Sequence, residues 1–244
     1  MTELRRRFPW ILTVLCAGLC AVLLALGVWQ VQRMQWKAGL IAAADAAAAE
    51  PVAPAARVFA AARPEFRKVE LTCPGLATAP WVELQSIHDG QAGVRLISAC
   101  RDPGLDRVVL VDRGFVADGI SARPPVAPSS TPLRVVAEIR ATPAPGPMAL
   151  AAQDDRFYVR DNAAMARALG VEGPVSPWTA FALASTNPDW AALQPSAPPP
   201  AFSNNHLGYA LTWFGLALAL VGFYIALLRR RMSGPSRPGD KEPS

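Results

Sequence analysis

Arg5-Arg6-Arg7-Phe8-Pro9-Trp10-Ile11-Leu12-Thr13-Val14-Leu15-Cys16-Ala17-Gly18-Leu19-Cys20-Ala21-Val22-Leu23-Leu24-Ala25-Leu26-Gly27-Val28-Trp29-Gln30-Val31-Gln32-Arg33 is the stretch that decides the architecture. Residues 8–32 carry no charge, and at about 1.5 Å of rise per residue they outspan a hydrocarbon core of about 30 Å. A second apolar run, 207–228, reverses the arrangement and ends on Arg229, Arg230 and Arg231. Lys and Arg are retained on the cytoplasmic flank of a membrane span, so the two arginine triplets place both termini in the cytoplasm and the intervening chain on the far side. Trp10 at the inner end, with Trp29, Trp36, Tyr209 and Trp213 at the outer end, lies where amphipathic rings partition. A cleaved signal peptide is the competing reading, with the Ala-rich residues 42–49 open to a peptidase. A signal core has about 7 to 15 apolar residues, so this longer run is expected to stay as an anchor.

Net charge follows the same division. The head holds Arg5, Arg6 and Arg7 against Glu3, and the tail Arg229, Arg230, Arg231, Arg237 and Lys241 against Asp240 and Glu242, which accounts for the whole formal charge of +5. The middle of the chain is neutral. The basic pI of 9.4 therefore reports membrane orientation, and nucleic-acid binding is excluded on that ground.

Working outward, the Ala-rich residues 38–50 favour helix, so the first helix is expected to continue beyond the bilayer until Pro51 and Pro54 stop it. Composition then divides the chain into a cytoplasmic N-terminus (1–7), a first span (8–32) and a helical extension with a Pro/Ala linker (33–64). A β-rich domain (65–186), a Pro-rich linker (187–206), a second span (207–228) and a basic cytoplasmic tail (229–244) follow. Inside the domain, apolar runs at 66–72, 81–87, 93–99, 108–116, 133–139, 157–159 and 178–184 alternate like strands. Turns at Asp89-Gly90, Pro103-Gly104 and Asp118-Gly119 separate several of them, which points to an antiparallel sandwich or barrel. One helix is expected there, capped by Asp161, running through Leu169 and stopped at Gly170. The fold class is thus a membrane protein with two transmembrane α-helices flanking one mainly antiparallel β (α+β) extracytoplasmic domain. Gly215, Ala219 and Gly222 form a small-residue face on the second span, the expected contact for the first.

Catalytic chemistry finds no support. The chain has two histidines, His88 in a turn and His206 at the membrane edge, with no triad, no glycine-rich phosphate loop, no zinc spacing and no paired carboxylates. No enzyme activity is expected, and no resident metal. Cys16 and Cys20 lie on one face of the first span as apolar packing residues, a copper site being the sharper alternative. Cys73 and Cys100 face an oxidising compartment and can form a disulfide if their Cα atoms approach within about 7 Å. Arg113, before Gly114, either holds a turn through backbone carbonyls or meets a partner protein; the first reading leads.

The least ordinary stretch is Ser203-Asn204-Asn205-His206-Leu207-Gly208-Tyr209-Ala210-Leu211-Thr212-Trp213. A histidine at the low-dielectric outer interface can stay neutral, and neutral imidazole is an axial ligand for haem iron. Arg33 and Lys37 can pair with the carboxylates of such a macrocycle. The plainer reading has Asn204 cap the helix while His206 sits among headgroups, and on residues alone it leads.

Three stretches resemble the Surf1 family. Leu26-Gly27-Val28-Trp29-Gln30, followed by Arg33 and Trp36-Lys37, is similar to its first-helix exit. Val109-Leu110-Val111-Asp112-Arg113-Gly114-Phe115-Val116 is similar to its central strand, and Asn204-Asn205-His206-Leu207 with Tyr209-Ala210, Thr212 and Trp213 matches its C-terminal signature. Asp112 and Phe115 depart from the Asn and Trp of that strand, and Cys73 and Cys100 belong to none of the three patterns. The resemblance implies a non-enzymatic assembly factor for cytochrome c oxidase that assists haem a insertion into the catalytic subunit. It would work with that subunit and other assembly factors in the lipid bilayer of the cell inner membrane, as a multi-pass protein with its main domain periplasmic. Residues 1–7 are too short for a mitochondrial transit segment, which favours a bacterial membrane. Carried over by position, the family's histidine is His206, its Asn pair Asn204 and Asn205, and its first-helix group Trp29, Gln30, Arg33 and Trp36. A haem a pocket at that end of the helix pair is expected to be lined by His206, Trp29, Arg33 and Trp213, with Gln30, Trp36, Asn204, Asn205, Arg113 and Gly114 as partner or structural positions. A scaffold that holds an oxidase intermediate without touching cofactor is the alternative.

Overall fold

The computed structural model describes residues 8–153, 155–195, 198 and 204–232. Arg5, Arg6, Arg7 and the tail beyond Met232 lie outside the described residues, as does part of the Pro-rich linker. Two compact units are present, a helix pair and a sheet domain over Ala42–Ala201.

Helix α1, Trp10–Ala49, is about 60 Å long at 1.5 Å per residue, twice the thickness of a hydrocarbon core. Its partner α4 is His206–Met232. Both are long and apolar enough to cross a membrane, and nearly all of their apolar surface is left uncovered by the protein itself. Ile11, Val14, Leu218 and Phe223 are exposed at 66–80%. Such a surface is stable in lipid rather than water, and the chain is a membrane protein.

The two helices pair antiparallel, because contact positions rise along α1 as they fall along α4. Thr13 Oγ1 meets the Tyr224 hydroxyl at 2.6 Å at one end, and Gln30 meets His206 at the other. These polar contacts are about 26 Å apart along α1, close to the depth of a hydrocarbon core. Between them Leu23, Gly27, Ala210 and Ala217 are buried. A Cβ on Gly27 would stand 2.5 Å from the Phe214 ring. The small residue at the seam is therefore on α1. Gly215, Ala219 and Gly222, expected there, are exposed, and no atom lies within 4 Å of a Cβ built on either glycine. The Phe214 ring selects the opposite complementarity, large on α4 against small on α1.

In the second unit, β1 (Ala53–Pro54) leads into α2 (Ala55–Phe59), then β2 (Lys68–Pro74), β3 (Val82–His88), β4 (Gln91–Cys100), β5 (Val108–Ala117) and β6 (Pro132–Ala141). After β7 (Arg156–Phe157) come α3 (Asn162–Ala168) and β8 (Val175–Ala182). The strands make one eight-stranded sheet in the order β1-β2-β6-β8-β5-β4-β3-β7. It is mixed: β1 with β2, β3 with β7 and β5 with β8 run parallel, the remaining pairs antiparallel. Of the expected antiparallel sandwich or barrel, no second sheet forms among the described residues, and the one sheet is mixed rather than antiparallel. The sheet curls instead until β2 and β4, well separated in its order, are joined by a disulfide between Cys73 and Cys100, whose Cα atoms are 5.1 Å apart.

Alternation decides which faces are inside. Val69, Leu71 and Cys73 of β2, with Val135, Ala137 and Ile139 of β6, point into one cluster that α2 closes with the fully buried Val58. Met165 and Ala166 of α3 cover Val82, Leu84, Ile97 and Leu110. Asp161 caps α3 by accepting from Ala164 N at 3.0 Å, and Gly170 takes a positive φ at its end, as expected from sequence. Asp89 and Gly90 both have positive φ in the tight β3–β4 turn.

Residues 51–64 and 187–195 read as extended Pro-rich connectors, yet each contributes packed structure. Val58 is one such residue. Leu193 is the other, fully buried against Val94, Leu96 and Val116. Single apolar side chains spaced among Pro and Ala carry too little periodicity to signal this burial.

Candidate functional site

The end of the helix pair bearing His206 gathers the residues with chemistry. A stripe of α1 at Leu23, Gly27, Gln30 and Met34 has heptad spacing and faces α4. Toward its C-terminal end Gln30 Oε1 lies 2.6 Å from His206 Nδ1, joining residues 176 apart in sequence. One turn on, Asn204 Nδ2 donates to the Met34 carbonyl at 3.3 Å. Asn204 therefore ties the chain entering α4 to α1 instead of capping its own helix. Its Oδ1 is buried without a hydrogen-bond partner.

An amide oxygen can only accept, so the Oε1 contact assigns the tautomer with the proton on Nδ1. In the neutral ring Nε2 then keeps its lone pair. No other group among the described residues engages that ring. A half-buried imidazole anchored at one nitrogen, with no hydrogen bond at the other among the described residues, has the chemistry to hold a haem iron.

Trp29, Arg33 and Trp36 lie on the adjacent stripe of α1, exposed, with the Arg33 guanidinium stacked 3.9 Å over the Trp36 ring. They present a cationic aromatic ledge beside the helix seam. Trp213 is half-buried and two turns along α4 from His206; Asn205 is exposed. His206, Gln30 and Asn204 are thus brought together, and Trp29, Arg33 and Trp36 stand next to them on a neighbouring face.

Arg113 and Gly114 belong to the sheet domain. They face Leu96 as a two-to-one bulge between β5 and β4, and a Cβ on Gly114, whose φ is 132°, would fall 2.3 Å from the Gln194 carbonyl. Arg113 is fully buried and cannot touch a partner protein. Its Nε donates to Thr186 Oγ1 at 3.1 Å, Nη1 to Ser98 Oγ at 3.2 Å and to the Ala79 carbonyl at 3.5 Å. Nη2 donates to the Ala77 carbonyl at 3.0 Å and to Asn187 Oδ1. Burial without a carboxylate pushes its pKa down to about 10. On the other side of the strand Asp112, equally buried, accepts from Arg95 Nε at 2.6 Å and Arg160 Nη2 at 2.5 Å. These contacts lock the sheet. Sequence reading singled out Arg113 but not its acceptors, nor the Asp112 cluster, because they meet only in the folded sheet.

A sequence model described as the SURF1 family matches residues 17–218, from within α1 to within α4 and well over half of the chain. No curated protein matches the chain.

Proposed function

The chain belongs to the SURF1 family, whose proteins serve cytochrome oxidase assembly, and on that premise we propose that it assists insertion of haem a into the oxidase catalytic subunit. The site is the outer end of the α1–α4 pair, at the periplasmic face of the cell inner membrane. His206 would hold the haem a iron through Nε2, and Arg33, Trp29 and Trp213 would hold the macrocycle. Haem a supplies the electron-accepting centre of the oxidase; this protein holds it and passes it on without turning it over. The sheet domain offers the surface for the catalytic subunit and for other assembly factors. Both termini lie in the cytoplasm.

One observation supports the reading: Gln30 and His206, from two motifs at opposite ends of the chain, meet in a hydrogen bond at Nδ1, and among the described residues no hydrogen bond engages Nε2. The test is made in cells expressing His206→Ala at the normal level in the membrane. Oxidase isolated from them is expected to lack haem a while its protein subunits persist. Full haem occupancy would oppose the proposal and favour the scaffold alternative, which predicts co-purification with the catalytic subunit even in haem-free cells.

A further inference from the structure

We infer that Gln30 is a positioning residue, whose side chain fixes the tautomer and orientation of His206 so that Nε2 is presented to a metal-centred ligand. The inference rests on the proposed function for the identity of that ligand, but its physical core concerns this chain alone. Free histidine in water favours the tautomer protonated on Nε2, which would turn the bare nitrogen inward. Gln30 Oε1, 2.6 Å from Nδ1, reverses that preference because it can only accept.

Three further features hold the acceptor in place. Gln30 continues the seam stripe after Leu23 and Gly27, and the Gly27 contact with Phe214 brings the two helices to close approach one turn below. Above, Asn204 is tied to the Met34 carbonyl at 3.3 Å, so the chain entering α4 is fastened on both sides of His206. The amide is neutral, which matters at the lipid interface: it orients the ring without the cost of burying a carboxylate. Loss of the hydrogen-bond partner that orients a ligating histidine typically weakens metal affinity by about 10- to 100-fold.

The chain has two histidines, so selective 15N-histidine labelling of the full-length protein in lipid nanodiscs gives two resolvable rings. The wild type is expected to show His206 protonated on Nδ1. Gln30→Leu should move the proton to Nε2 and weaken haem a binding by about 10- to 100-fold. Gln30→Glu restores the acceptor, so it should recover the Nδ1–H tautomer and the affinity, and lower the reduction potential of the bound iron by adding negative charge behind the ligand. An Nε2–H ring in the wild type, or unchanged tautomer or affinity in Gln30→Leu, would overturn the assignment. His206→Ala separates the levels: if it binds haem a as tightly as wild type, the proposed function fails and this role with it. If it loses haem a while Gln30→Leu does not, only the role of Gln30 fails.

Discussion

Replacing Arg113 by Met tests whether the buried guanidinium is a structural clamp. The side chain is the largest among the fully buried ones, and its donors are taken by Thr186, Ser98, Asn187 and the carbonyls of Ala77 and Ala79. Burial opposes this arrangement: a pKa lowered from 12.5 to about 10 corresponds to about 3 kcal/mol against the charged form. Hydrogen bonds to a charged donor contribute about 1.5–3 kcal/mol each, and even at the lower figure they outweigh that cost by about 4 kcal/mol. Met keeps much of the aliphatic volume, so the loss measures the polar contacts. At about 4 °C per kcal/mol the sheet domain should melt about 16 °C lower, read by circular dichroism of full-length protein in detergent. Arg113→Lys should fall nearly as far, since an ammonium cannot reproduce the planar fork across three separate segments. A melting point within about 4 °C of wild type for Arg113→Met would refute the reasoning.

Asp112→Asn removes the carboxylate between Arg95 and Arg160 and should destabilise the domain by about 3–5 kcal/mol, measured by the same melt; an unchanged melt would show that the arginines find other acceptors. Cys73→Ser with Cys100→Ser opens a loop with a sequence separation of 27 and should cost about 3 kcal/mol, read as a lower denaturant midpoint without reductant. Gly27→Leu places a side chain where a Cβ alone would stand 2.5 Å from the Phe214 ring, so cysteine cross-linking between positions 13 and 224 should fall sharply. Glu83 is partly desolvated, which raises its pKa, but hydrogen bonds from Arg156 and Arg123 outweigh this and hold it below the ordinary value of 4.5. The stability it contributes is present above pH 4.5 and lost as pH falls through the lowered value, so hydrogen exchange in β7 should accelerate first there.

What could be read from the sequence followed from patterns that are local. The two apolar runs, the Ala-rich continuation of α1 to Ala49, the Asp89-Gly90 turn and the Asp161 cap of α3 each depend on neighbouring residues, and each forms as expected. Strand identity was legible except for β1, which lies in the stretch read as a Pro/Ala connector, and strand order was not. The parallel pairing of β5 with β8 and the curling that joins Cys73 to Cys100 depend on contacts across the domain, which alternation cannot encode. The same limit applies at the site. His206 and Gln30 stood out singly by residue type and place, yet their pairing depends on the register of two helices, and that register is set by Gly27 against Phe214 rather than by the glycines of α4.

Titration of the purified full-length protein in nanodiscs with haem a, followed at the Soret band, tests the central claim most directly. Saturable binding to the wild type is expected, with an imidazole-ligated spectrum that His206→Ala abolishes while both helices stay inserted. Equal affinity and an unaltered spectrum in His206→Ala would contradict it.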